Sequence, residues 1–373
     1  MIPQTIREVM SAGAAIAISI SAGKDSQAML RYVVRLYKQH RWTGKLFAIF
    51  ADLGSIEWQG TLEHAYSMCR DADIDLVVVQ RSHEGMIGRW QERREAMLLK
   101  DQEAPFWSSA ASRYCTKELK ENQCDKHLRT CSDLVVCCVG IRAQESPARA
   151  GKPLYTVRGG ITTATLKKPK EVVAAADHQS WADLAWRLWQ EHPIDPKTGV
   201  RPRFSITWHP IFDWSIEEVW QGCGASIEEL QWRQDLFRQG MPRLAFAGWA
   251  GHWAYVTGNS RLSCSQCVLA NRADLENGAR LNQDVWMELV QMEQESGWTF
   301  KSKFALSELA TIVEATPPAW VEKVYATLRS LGLIYLDRHW QLDGQALTNL
   351  LARQLAPVDL TKAFQNDVTR RTQ

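Results

Sequence analysis

No apolar run in this sequence approaches the length of a bilayer span, and its first residues carry no basic stretch followed by an apolar one. Internal repeats and low-complexity tracts are missing too. A cytoplasmic location is therefore expected, where the nine cysteines should be thiols or metal ligands and not structural disulfides. Charge of one sign is scarce as well: 44 Lys and Arg against 42 Asp and Glu leave a net charge of +2. A protein living on the electrostatics of the DNA backbone shows a stronger basic bias, so any nucleic-acid role here rests on a local patch or on partner proteins. The chain has no Walker A spacing and no cysteine after Cys267. With 373 residues, 45% of them hydrophobic, it has enough material for one large core and a second small one.

The informative segment lies near the amino terminus. Residues 14–20 form a short Ile-rich run that reads as a strand buried on both faces, and from Asp25 the pattern turns helical, with Ala28, Met29, Tyr32, Val33 and Leu36 on one side. Ser21-Ala22-Gly23-Lys24-Asp25-Ser26 joins the two. A strand, a turn of small residues and a helix aim backbone N–H groups and the positive end of the helix dipole at one point, and small side chains let an anion approach them. The plain alternative is a strand-to-helix turn without a ligand.

Further strands are expected near 45–52, 75–81 and 133–141, with helices at 25–40, 57–72, 84–99 and 115–130. Such alternation predicts a doubly wound, mostly parallel α/β sheet with helices on both faces and its ligand at the carboxyl ends of the strands. The segment 165–203 breaks the rhythm with Lys167, Lys168, Lys170 and a helix around Trp181, Trp186 and Trp189, and reads as an insertion. The expected division is a main domain over 1–300 and a small helical or winged-helix-like module over 301–373, with a short hairpin at 334–342. A helical cap packed on the main domain is the simpler reading of that module. Most of the seventeen tryptophans are expected in cores or interfaces and not as base-stacking platforms.

The loop resembles the PP-loop of the ATP pyrophosphatases, with Ala22 where that family usually has glycine. Four more segments are similar, in order, to blocks of its phosphoadenylyl-sulfate (PAPS) reductase branch. They are Asp52-Leu-Gly-Ser-Ile-Glu-Trp, then Ser112-Arg-Tyr-Cys-Thr-Lys-Glu-Leu-Lys120, then Gly140-Ile-Arg-Ala-Gln-Glu-Ser-Pro-Ala-Arg149, and His209-Pro-Ile-Phe-Asp-Trp-Ser-Ile-Glu-Glu-Val-Trp220. Arg261-Leu-Ser-Cys-Ser-Gln-Cys267 follows. The resemblance spans about 14–275 and implies an adenine nucleotide alpha hydrolase-like fold.

It also implies chemistry. ATP would be cleaved between its α- and β-phosphates, adenylating an acceptor. Ser21, Ala22, Gly23, Lys24, Asp25 and Ser26 would hold the pyrophosphate, with Asp52, Gly140, Arg142, Glu145 and Arg149 completing the nucleotide site. Lys24, Asp25 and Arg142 are the expected catalytic residues, Asp25 or Asp52 would hold Mg2+, and Glu145 would orient Arg142 or the ribose. A surface ion-pair ladder is the plain alternative for Arg142, Glu145 and Arg149. Asp213 and Trp214 are expected to cap and bury a helix start.

Cys264 and Cys267 form a C-x-x-C pair, a spacing that lets two thiolates share one metal. Cys115 is the expected third ligand. Cys124, Cys131 and Cys223 are candidates for a fourth, Cys223 favoured, whereas Cys137 and Cys138 read as buried small side chains in a strand. Matching cysteines in the DndC-type DNA phosphorothioation members of the branch are associated with a 4Fe-4S cluster; zinc or a bare dithiol are the alternatives. The same resemblance implies DNA reached through partner proteins of a modification system, and a cysteine desulfurase as sulfur donor. Two other readings stand beside it: a PAPS or APS reductase, against which the cysteine-free tail Gln365-Asn-Asp-Val-Thr-Arg-Arg-Thr-Gln373 counts, and a non-catalytic nucleotide-binding regulator or assembly subunit.

Overall fold

The computed structural model describes residues 2–335 apart from 82–84, 198 and 303. The expected hairpin at 334–342 and most of the expected C-terminal module therefore lie outside the described residues. Two compact units interleave along the chain: the first takes residues 1–51, 68–79 and 120–224, the second 52–67, 80–119 and the remainder from 225.

The first unit is built on a six-stranded sheet. Its strands are β1 (Ala15–Ile20), β2 (Leu46–Asp52), β3 (Asp75–Gln80), β4 (Leu134–Val139), β5 (Tyr155–Val157) and β6 (Phe204–Trp208), in the order β3-β2-β1-β4-β6-β5. β1 pairs in parallel with β2 and β4, β4 pairs in parallel with β6, and β5 alone runs antiparallel to β6. The expected doubly wound fold is thus present, with two strands beyond the four read from the sequence. Tyr155–Val157 is three residues long and Phe204–Trp208 five, too short to show a period.

β1 carries almost nothing but buried Ala and Ile, as a strand covered on both faces must. Its chain neighbour in the sheet is β2 on one side and, after the reversal of strand order, β4 on the other. That reversal is the switch point at which open α/β sheets leave a crevice beyond the strand ends. Ala15, Ala17, Phe47, Ile49, Val135 and Cys137 form one core layer with Cys124 and Leu128. Cys137 and Cys138 are buried, as expected, and burial pushes both thiols up.

Helix Ala175–Glu191 gives two of the three tryptophans of the expected insertion their role. Trp186 and Trp189 are stacked at 5.2 Å; the first donates to Glu8 Oε2 at 3.0 Å, the second to the Pro202 carbonyl at 2.7 Å. They are core residues with satisfied indole N–H groups.

The second unit has a core of Leu53, Ile56, Trp90, Phe106, Trp107, Leu275, Leu289 and Phe300, which Leu306 and Leu309 join. Trp90, Trp107 and Phe300 meet edge to face with centroids 5.1 to 5.5 Å apart. Its described elements are helical and irregular, and no helix among the described residues is long and apolar enough to cross a membrane.

Candidate functional site

The loop after β1 and the loop after β4 flank the switch point of the sheet, and each delivers a charged group to it. Helix Lys24–His40 starts from Gly23, whose extended backbone (φ −85°, ψ 161°) ends the loop, and Asp25 stands in its first turn, complementing the dipole. Ala22 has φ 57° and is fully buried. Only glycine takes that left-handed conformation freely, which explains the glycine of the resembling families; alanine pays about 1 to 2 kcal/mol for it. Ser26 closes the loop from within: its hydroxyl accepts the Ser21 N–H at 3.2 Å and donates to the Gly23 carbonyl at 2.8 Å.

Lys24 and Arg142 are 6% and 4% exposed, so both cations are held inside the fold. Asp25 joins them. Its Oδ2 lies 3.0 Å from Lys24 Nζ, and its Oδ1 accepts from Arg142 Nε at 2.6 Å. Burial raises the pKa of the carboxyl, but Lys24 and Arg142 outweigh it and hold Asp25 below its ordinary value. Gly140 allows this close approach: a Cβ there would stand 3.2 Å from the Asp25 carbonyl oxygen. Arg142 is fixed from two further sides, its Nη1 donating to the Trp214 carbonyl at 3.3 Å and its backbone N–H to Glu145 Oε2 at 3.1 Å. Glu145 also pairs with Arg149 one helical turn on.

The expected residues Ser21 to Ser26, Gly140, Arg142, Glu145 and Arg149 therefore lie in one unit, and the Arg142–Asp25–Lys24 contact ties the two loops together. The contact between Glu145 and Arg142 is to the backbone N–H of Arg142, not to its guanidinium. Asp52 ends β2, accepts the Gly54 N–H at 2.8 Å, and is pushed up by burial against that hydrogen bond. Of the two carboxylates expected to hold Mg2+, Asp25 is therefore held below its ordinary value and Asp52 above it, and a hard cation favours the more readily ionised group.

Three further contacts surround these residues. The helix start expected at Asp213 is capped instead by Ser215, whose hydroxyl accepts the Glu218 N–H at 3.1 Å while Glu218 reaches back to the Ser215 N–H at 2.6 Å. The Ser-x-x-Glu spacing of that capping box was the available signal. Trp214 packs edge to face on Tyr32 at 5.2 Å and lends its carbonyl to Arg142. Cys223 is fully buried and donates its thiol to the Lys24 carbonyl at 3.1 Å. Burial pushes that thiol up to about 12, opposite to what a thiolate ligand needs.

Cys124 and Cys131, the other candidates for a fourth ligand, pack in the sheet core of the first unit, whereas Cys115, Cys264 and Cys267 belong to the second. Cys115, Cys264 and Cys267 are half-buried against one apolar cluster, Cys115 opening a π-helical turn over Cys115–Glu121. The C-x-x-C loop is pinned by Ser265, whose N–H and hydroxyl both donate to the Ile56 carbonyl, at 2.8 and 2.9 Å. Cys267 Sγ accepts the Leu269 N–H at 3.4 Å. Among the described residues, no three His, Cys, Asp or Glu side chains are grouped so as to hold a metal ion.

Comparison with known proteins adds one finding. No curated protein matches the chain, but the family model described as phosphoadenosine phosphosulfate reductase domain matches residues 15–244. That stretch runs from the first residue of β1 past the loop, the Arg142 block and the Ser215-capped helix, and takes in more than half of the sequence: the chain belongs to the phosphoadenosine phosphosulfate reductase domain family.

Proposed function

We propose that this member of the family is an ATP pyrophosphatase-type enzyme that activates an acceptor by adenylation, with sulfur transfer to a DNA phosphate as its specific task. The observation that carries the reading is the meeting of Lys24 and Arg142 on Asp25, beside a loop of small residues at the switch point of the sheet. Two buried cations and a helix N-terminus suit the charge of a departing pyrophosphate.

In the reaction, an acceptor oxygen or sulfur attacks the α-phosphorus of ATP. The new bond to phosphorus forms as the bond to the bridging oxygen breaks, and pyrophosphate leaves with the electron pair. Lys24 and Arg142 hold the charge that gathers on it, and the Ser26 tie keeps the loop closed around it. Glu145 and the Trp214 carbonyl keep Arg142 aimed, so little reorganisation is left for the moment of reaction. Magnesium, when bound, would shield the phosphate oxygens, and Asp25 is the carboxylate suited to it. The sulfur-handling part of the proposal draws on Cys115, Cys264 and Cys267 facing one cluster in half-buried positions.

Release of pyrophosphate from ATP, measured with and without DNA, tests the proposal. DNA-stimulated release that disappears in Lys24→Ala supports it; no release under any condition overturns it. Turnover of adenosine phosphosulfate with thioredoxin as reductant would instead make the chain a reductase.

A further inference from the structure

We propose that Asp25 is a displaceable counter-ion: without metal it competes with phosphate for Lys24 and Arg142, and with magnesium it changes sides and favours phosphate binding. The inference rests on the reading of the loop as a pyrophosphate grip, and concerns what governs that grip.

The side chains of Lys24 and Arg142 are 7% and 5% exposed, and that of Asp25 is 18% exposed. Buried charge is costly unless paired, and here a single carboxylate serves two cations, one through each oxygen. The three groups together carry one positive charge. A pyrophosphate entering beside them meets two attractive groups and one repulsive one, and the repulsive one already occupies the donors it would use. Metal-free binding is therefore weakened by Asp25.

Arg142 does not depend on Asp25 for its place. The Trp214 carbonyl accepts from its guanidinium, Glu145 accepts its backbone N–H, and Gly140 lets the backbone two residues earlier lie close to the start of the helix. Removing the negative charge of Asp25 thus frees the guanidinium for a ligand without setting it adrift. Magnesium reverses the sign. A hard cation arriving with the phosphate prefers carboxylate oxygen, so the charge that repelled the anion now binds its counter-ion. Site occupancy would then follow the metal complex of the nucleotide and discriminate against free phosphates.

The test is calorimetric titration of the full chain with inorganic pyrophosphate, in chelator and in millimolar magnesium. Asp25→Asn is expected to bind about tenfold more tightly than the wild type in chelator and at least about tenfold more weakly in magnesium. In an Arg142→Ala background the gain in chelator should shrink, because one of the two donors that Asp25 competes for is gone and only Lys24 remains. Equal or weaker metal-free binding by Asp25→Asn overturns the inference, provided its unfolding midpoint matches the wild type; if it does not, Asp25→Ser is read in its place. Should the wild type bind no pyrophosphate in either buffer, or Arg142→Ala bind like the wild type, the pyrophosphate grip itself fails, a result distinct from the loss of the sign reversal alone.

Discussion

The sheet unit and the cysteine-bearing unit hold their reactive groups in opposite ways. In the first, the charged groups of the candidate site are met by partners within hydrogen-bonding distance: Lys24 and Arg142 by Asp25, Arg142 again by Glu145 and a carbonyl, Arg149 by Glu145. In the second, three sulfurs lie half-buried against apolar side chains, Cys267 accepting the Leu269 N–H and Cys115 lying 4.0 Å from the Thr116 hydroxyl, with backbone ties holding the loop between Cys264 and Cys267. Electrostatic preorganisation is costly to build but ready for an anion on arrival. A set of thiols on an apolar bed is adaptable and waits for something to gather it. The difference teaches that the charged residues of the loops are fixed by their mutual contacts, whereas the three sulfurs are positioned by the apolar side chains and backbone around them; on the proposed function, the nucleotide side is the rigid one and the sulfur side the adaptable one.

The largest break in that comparison comes from emptying the rigid site. Lys24→Ala combined with Asp25→Ala should abolish magnesium-ATP binding in equilibrium dialysis, a loss of about a hundredfold or more, because a buried cation and the carboxylate suited to the metal go together. Retained affinity would show that the nucleotide sits elsewhere. In stability, as distinct from binding, the largest effect falls on the pair of Arg158 Nε and Asp125 Oδ1 at 2.6 Å, both largely buried. Asp125→Asn strands the guanidinium and should cost about 3 to 5 kcal/mol in denaturant unfolding.

A smaller effect follows from His209, which donates Nδ1–H to the Pro153 carbonyl at 2.8 Å and is pushed down by burial to about 4. The unfolded chain takes up this proton near pH 6.5 and the folded one only near pH 4, so stability falls as pH drops between those values. In His209→Asn the slope of stability against pH in that window should shrink by about one proton.

Thiol labelling sharpens the contrast directly. Iodoacetamide on the native protein should modify the half-buried Cys115, Cys264, Cys267 and Cys131 and spare Cys69, Cys124, Cys137, Cys138 and Cys223, read by peptide mass spectrometry. Labelling of Cys223 before unfolding would mean that the Lys24 carbonyl contact opens freely.

The smallest change is at Ala22. Ala22→Gly removes a left-handed penalty of about 1 to 2 kcal/mol but adds about 0.4 to 1 kcal/mol of unfolded-chain freedom, so a net gain of about 1 kcal/mol is expected in unfolding. A loss would mean that the buried methyl packs well enough to repay its strain.

Much of the frame was legible because it is local. A helix read at 25–40 runs over Lys24–His40, and strands read at 45–52 and 133–141 run over Leu46–Asp52 and Leu134–Val139. A helix read at 115–130 is instead a π-helical turn followed by an α-helix, since seven residues do not reveal which carbonyl each N–H will find. β5 and β6 escaped for want of length.

What the amino-acid order determined by itself is the alternation of strand and helix and the small-residue loop with its Lys24 and Asp25, because apolar period, side-chain size and helix-start chemistry act over a few neighbours. Only the tertiary structure decided that Arg142, 117 positions further on, shares Asp25 with Lys24, that the Cys223 thiol is spent on the Lys24 carbonyl, and that Trp214 serves through its backbone. Those contacts depend on strand order, which places β4 beside β1 and their loops at one crevice. Pairing across a sheet is set by the packing of the whole layer and leaves no local trace in either loop.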